Sequence, residues 1–179
     1  MLGVTGSIAA YKAAELVRLF VRNGDDVKVV MTAAAMEFVS ELTFRTLSRN
    51  PVYVDQFAAP ASWNPEHIAL ADAADLVVVA PATANTLAKM RYGLADNLLT
   101  SVLLATRAPV VVAPAMNVGM LGHPATVENL AALAARGVKI VESGDGELAC
   151  GAFGKGRLAE PAEIFAACRG LGCDGEAAR

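Results

Sequence analysis

The sequence predicts an α/β domain built on one doubly wound parallel sheet with helices on both faces. Three observations carry this. The apolar runs 76–80 (LVVVA) and 109–113 (PVVVA) are too continuous for half-exposed strands and suit strands buried on both faces. Segments of helical periodicity alternate with such runs along the chain. Small polar residues stand where strands give way to helices, as helix starts require.

Taken in order, residues 2–5 (LGVT) read as a short first strand, and residues 8–22 as a helix stopped by Asn23-Gly24. Residues 26–31 (DVKVVM) form the second strand. Thr32 starts a short helix through Phe38, and residues 42–47 read as another helical piece. Residues 69–73 look helical. The strand at 76–80 is expected to halt at Pro81, and the strand at 109–113 at Pro114, because proline cannot extend a central ladder. Residues 84–91, 96–106 and 125–135 read as helices, and 138–141 as a last strand. Strands alternating with helices imply right-handed crossovers and a three-layer sheet of Rossmann or flavodoxin-like type. The expected organisation is one domain over residues 1–168, followed by a disordered tail over 169–179. Residues 144–157 are rich in glycine and aperiodic, and they read as a mobile flap.

Composition narrows the class. Hydrophobic residues make up 55% of the chain and charged residues 18%, more apolar than an ordinary soluble monomer, which points to a homo-oligomer. A net charge of −3 with no basic cluster argues against nucleic acid. No apolar run approaches the roughly 20 residues that span a bilayer. The first helix carries Lys12, Glu15, Arg18 and Arg22, unlike a signal peptide. Cys150, Cys168 and Cys173 have neither zinc-ligand spacing nor the look of a disulfide framework, so no metal and a reducing, cytoplasmic setting are expected.

The candidate site residues lie at the carboxyl edge of the expected sheet, where open α/β folds bind ligands. Thr5-Gly6-Ser7 offers a close backbone approach and a hydroxyl at a helix start, without a GxGxxG or Walker pattern. Thr32 follows the second strand and Pro81-Ala82-Thr83-Ala84-Asn85 the third. Asn117, in Pro114-Ala115-Met116-Asn117, follows the strand at 109–113 and is suited to holding a carboxylate. Each could equally be a plain helix cap. His67 could transfer protons over the same rim, or be a capping or surface residue. His123 reads as structural, Cys168 as packing beside Ile164 and Phe165, and Cys150 as an accessible thiol in the flap.

Together these blocks resemble the flavin-containing cysteine decarboxylase family: residues 3–12 (GVTGSIAAYK), Met31-Thr32, His67-Ile68, residues 80–85 (APATAN), residues 95–100 (ADNLLT), Pro114-Ala115-Met116-Asn117 with Met120, and Ala149-Cys150-Gly151. The match runs from Leu2 to about Pro161 and is most similar to the type that decarboxylates 4'-phosphopantothenoyl-L-cysteine in coenzyme A synthesis. The resemblance implies an FMN cofactor held by Gly6, Ser7, Thr32, Pro81, Ala82, Thr83, Ala84, Asn85 and Ser101. It implies that the substrate's cysteine moiety is oxidised to a thioaldehyde, loses carbon dioxide as an enethiolate and is reduced to the thiol. His67 then matches the catalytic histidine and Asn117 the carboxylate holder. Cys150 matches the flap proton donor, with Met120, Ala149 and Gly151 beside the substrate. The family places the flavin at a subunit interface in trimers, which can assemble further into dodecamers. One helix and a tail after Pro161 leave no room for the family's fused ligase domain. A free-standing decarboxylase or an isolated domain is therefore expected, with a separate ligase as a possible partner. Relatives that oxidatively decarboxylate a peptide's C-terminal cysteine need no flap cysteine, so Cys150 favours the coenzyme A type. Relatives that regulate a phosphatase alter the histidine or carry acidic tails, and flavin prenyltransferases are not expected to carry the asparagine motif.

Overall fold

A computed structural model describes residues 1–57, 64–147 and 153–171. The strands of the main sheet are β1 (Leu2–Val4), β2 (Val29–Met31), β3 (Val52–Tyr53), β4 (Val77–Ala82), β5 (Val110–Pro114) and β6 (Lys139–Ile140). They pair in parallel in the order β3-β2-β1-β4-β5-β6. This is the doubly wound order that the alternation of strands and helices predicts. The winding reverses between β1 and β4.

Residues alternate between the two faces of the sheet. Val29 and Met31 of β2, Val78 and Ala80 of β4, and Val111 and Ala113 of β5 point into one core layer. There they meet α1 (Ala10–Asn23), α3 (Glu41–Ser48) and α9 (Pro161–Cys168) through Leu16, Val17, Phe44 and Ile164. Val30, Val79, Ala82 and Val112 point into the other layer. There they meet α4 (Glu66–Asp72), α5 (Ala84–Tyr92), α6 (Leu98–Ala105) and α8 (Pro124–Ala135) through Leu70, Leu87, Leu98, Leu99, Val102 and Leu133. Both faces are covered, which is why these strands read as unbroken apolar runs. Two short helices, α2 (Ala33–Met36) and α7 (Val118–Leu121), follow β2 and β5.

Six elements depart from the sequence expectation. β4 and β5 continue through Pro81 and Pro114 instead of stopping before them. The Ala80–Pro81 peptide is cis, and the β4–β5 register shifts between Val79 and Ala82. A proline removes only its own N–H from the ladder; here Ala82 still pairs with Pro114 and its carbonyl accepts the Ala115 N–H at 3.2 Å. β3 is two residues long, too short to show alternation. The glycine-rich segment contains an antiparallel hairpin, β7 (Gly144–Glu147) with β8 (Phe153–Arg157), where no regular structure is expected. It has no apolar alternation to read, and its glycines at 146, 154 and 156 have φ values of +155°, +155° and +137°. His67 lies inside the first turn of α4 rather than ahead of a helix.

No helix among the described residues is long and apolar enough to cross a membrane.

Candidate active site

The carboxyl ends of β1, β2, β4 and β5 open into a cleft of about 960 Å³. Its walls are built from strand-to-helix turns, and most of the polar residues in them cap the next helix. Ser7 Oγ accepts the Ala9 N–H at 3.3 Å. Thr32 Oγ1 accepts the Ala35 N–H at 3.3 Å, and Thr83 Oγ1 accepts the Thr86 N–H at 3.4 Å. Asn117 Oδ1 accepts the Gly119 N–H at 2.8 Å and starts α7. At Thr32, Thr83 and Asn117 the capping role and the lining role coincide, so they are not alternatives; Ser7 bonds within the turn ahead of α1, a helix that no side chain caps.

The point where the winding reverses is fixed by Thr5, which is buried. Its hydroxyl donates to the Pro81 carbonyl at 2.6 Å and accepts the Thr83 N–H at 3.1 Å. One side chain thus ties the first turn to the third. Gly6 lets the first two turns touch, because a Cβ there would stand 2.5 Å from the Ala34 Cβ.

Of the residues nominated from sequence, Gly6, Ser7, Thr32, Thr83, Ala84, Asn85, Asn117 and Met120 line this one cleft. Pro81 and Ala82 lie in β4 and are not among its lining residues. Ser101 lies on α6, where its hydroxyl donates to Gln56 Oε1 at 3.4 Å, and it is not in the lining. His67, half-buried on α4, is not in the lining either. Ala149, Cys150 and Gly151 lie outside the described residues. His123 caps α8, its Nδ1 accepting the Ala125 N–H at 3.2 Å. Cys168 is buried, and burial pushes its thiol up to about 11. Among the described residues no group of three or more His, Cys, Asp and Glu could hold a metal ion.

The sequence reading missed the charge in the walls. Among the described residues, Lys12, Lys89 and Arg157 line the cleft and no acidic side chain does. Lys12, only 8% exposed, donates to Glu160 Oε1 at 2.8 Å, and Arg157 stands 3.6 Å from the same oxygen. Lys89 Nζ reaches Asp96 at 2.7 Å. The hydrogen bond from Lys12 holds the Glu160 carboxyl below its usual range, and that from Lys89 does the same for Asp96. The signal for Lys12 was its place on the inward stripe of α1, between Ala9 and Leu16, where a lysine needs a partner. Among the described residues the charged groups that line the cleft are all cations, with glycine and alanine between them, and such a lining suits a flat anionic ligand.

The flavoprotein family model matches residues 1–171. The chain belongs to the flavoprotein family. This flavoprotein is 51% identical over 164 residues to the coenzyme A biosynthesis bifunctional protein CoaBC of Bacillus subtilis strain 168, a match covering 92% of this chain and 40% of that protein. It is 48% identical over 168 residues to CoaBC of Vibrio cholerae serotype O1, covering 94% and 42%. The chain therefore spans about two-fifths of the length of these curated relatives. Among solved structures, a PPC decarboxylase mutant complexed with pantothenoylaminoethenethiol superposes with a TM-score of 0.84 at 34% identity, covering 94% of each chain. The FMN-dependent cysteine decarboxylase SpaF gives 0.75 at 30% identity, covering 93% of this chain and 95% of that one. These likenesses bear out the fold and the family resemblance read from the motif blocks.

Proposed function

We propose that this flavoprotein is an FMN-dependent decarboxylase of 4'-phosphopantothenoyl-L-cysteine, forming 4'-phosphopantetheine for coenzyme A synthesis. The observation that carries the reading is that the Asn117 turn and the Gly6-Ser7 turn share one cleft with cationic walls. The similarity to CoaBC proteins and to a PPC decarboxylase structure supports the choice of substrate.

The residues fit a flavin mononucleotide. Gly6, Ala33, Ala34 and Ala84 leave flat space, while Ser7, Thr32, Thr83 and Asn85 offer hydroxyls and an amide. The amino ends of α1 and α5 favour an anion. When bound, the flavin supplies the two-electron oxidation of the substrate thiol to a thiocarbonyl and the return of those electrons. Asn117 orients the substrate carboxylate beside the cleft, placing it to leave once the thiocarbonyl draws its electrons. Met120 covers that position with an apolar side chain. Cys150 donates the proton that completes the saturated thiol, and Ala149 and Gly151 flank the substrate with it.

His67 assists the oxidation and decarboxylation from a second copy of the chain, a role that its place on α4, outside the lining of this copy's cleft, supports. Ile8 and Tyr11, at the cleft and about 60% exposed, are apolar surface suited to that contact. A homotrimer, or a dodecamer of trimers, in the cytoplasm follows from this reading, with Ser101 meeting the cofactor held by a neighbour. A ligase that makes the substrate works beside it, fused or separate.

The test is release of labelled carbon dioxide from carboxyl-labelled phosphopantothenoylcysteine, set against a peptide ending in cysteine. The reading expects release from the first and little from the second. The reverse preference would make the chain a peptidyl-cysteine decarboxylase.

A further inference from the structure

The hairpin β7–β8 is fastened to the Asn117 turn at two points. Ser143 Oγ donates to the Pro114 carbonyl at 2.9 Å, and the Met116 N–H donates to the Gly156 carbonyl at 2.9 Å. The second contact is close enough that a Cβ on Gly156 would run into the Met116 carbonyl oxygen. Arg157 follows immediately, and its guanidinium shares Glu160 Oε1 with the Lys12 ammonium. A continuous chain of contacts therefore runs from Lys12 on α1, through Glu160, Arg157 and Gly156, to the backbone beside Asn117.

Holding α9 on α1 does not need this ion pair. Phe20 and Phe165 meet edge to face with centroids 5.1 Å apart, and Ile164 is buried in the same core layer. A lysine on the inward face of a helix is a costly choice where an apolar side chain would pack as well. Its ammonium sits at the cleft wall and shares a carboxylate oxygen with Arg157 at the end of the hairpin stem.

We propose that Lys12 and Glu160 are positioning residues for the Asn117 turn: the shared carboxylate oxygen fixes the hairpin stem, and the stem's Gly156 carbonyl fixes the Met116 amide. The role given to Asn117 rests on the function proposed above; the mechanical coupling does not. A small displacement of a group that orients the reacting carboxylate is enough to lower turnover severely.

Lys12→Met, nearly the same size without charge, isolates the effect. Glu160 is 56% exposed and stays hydrated when its partner is removed, so folding is little affected. In the FMN-loaded full chain, hydrogen exchange at the Met116 amide is expected to rise at least about tenfold. The melting temperature should stay within about 3 °C. Turnover of phosphopantothenoylcysteine should fall at least about tenfold, with Lys12→Arg restoring both exchange protection and turnover. Unchanged protection at Met116, or a melting temperature that falls in step with turnover, would overturn the proposal. A wild-type chain that leaves phosphopantothenoylcysteine untouched would sink the functional reading, and the exchange result would still decide the coupling.

Discussion

The two sides of the cleft are built in different ways. The side formed by the turns at Ser7, Thr32 and Thr83 is local: each hydroxyl accepts an N–H two or three residues further on. The side formed by Asn117 is not. Its cap is as local as the others, but its backbone is held by a hairpin some 40 residues further on. The first side is held by these short-range bonds and by the single Thr5 tie between the first and third turns. The second side inherits its geometry from whatever holds the hairpin. Substrate handling should therefore be easier to break than cofactor binding.

Asn117→Ala should break the comparison most sharply. With the carboxylate holder gone, turnover is expected to fall about 100-fold or more while FMN stays bound, read by steady-state rates beside the flavin absorbance. Near-normal turnover would remove Asn117 from its role. Gly156→Ala comes next. A Cβ driven against the Met116 carbonyl, at a φ of +137°, forces the hairpin and the Asn117 turn apart. Turnover should drop about tenfold, again with FMN retained, and a loss of FMN equal to the loss of rate would show that the two sides are not separable.

Thr5→Val tests the other side. It leaves the Pro81 carbonyl and the Thr83 N–H without their buried partner, at a cost of about 2 kcal/mol measurable by denaturant unfolding. FMN affinity should weaken with it, since the tie between the first and third turns is lost.

The smallest effect concerns acid. The Lys12 hydrogen bond lowers the folded pKa of Glu160 below its unfolded value, so the pair stabilises the fold above the usual carboxylate range. That contribution disappears as the pH falls through the lowered pKa, below about 4.5. Lys12→Met should lose less stability than the wild type on acidification through that window, as seen in melting temperatures against pH. Equal acid limbs would show that the pair contributes nothing.

The same contrast explains what the sequence made legible. Caps are written next to the helices they serve, so the turns at Thr32 and Thr83 could be nominated from a threonine at a strand end. Buried strands announce themselves by apolar runs, so the sheet was readable, β3 excepted. The Lys12–Glu160 pair joins residues 148 positions apart, and the Thr5 tie spans 76, so neither could be read from any window of sequence. The hairpin stem depends on glycine φ values rather than on a side-chain pattern, which is why it read as irregular. Proline could be read as a strand end only by assuming that every strand residue needs its N–H, and β4 and β5 show otherwise.

The most direct test of the account is an anaerobic incubation of the FMN-loaded chain with phosphopantothenoylcysteine, following product mass and flavin spectrum together. The account predicts a product lighter by carbon dioxide alone, with the flavin oxidised once turnover ends. A product lighter by carbon dioxide and two hydrogens over a bleached flavin, or no product at all, would contradict it.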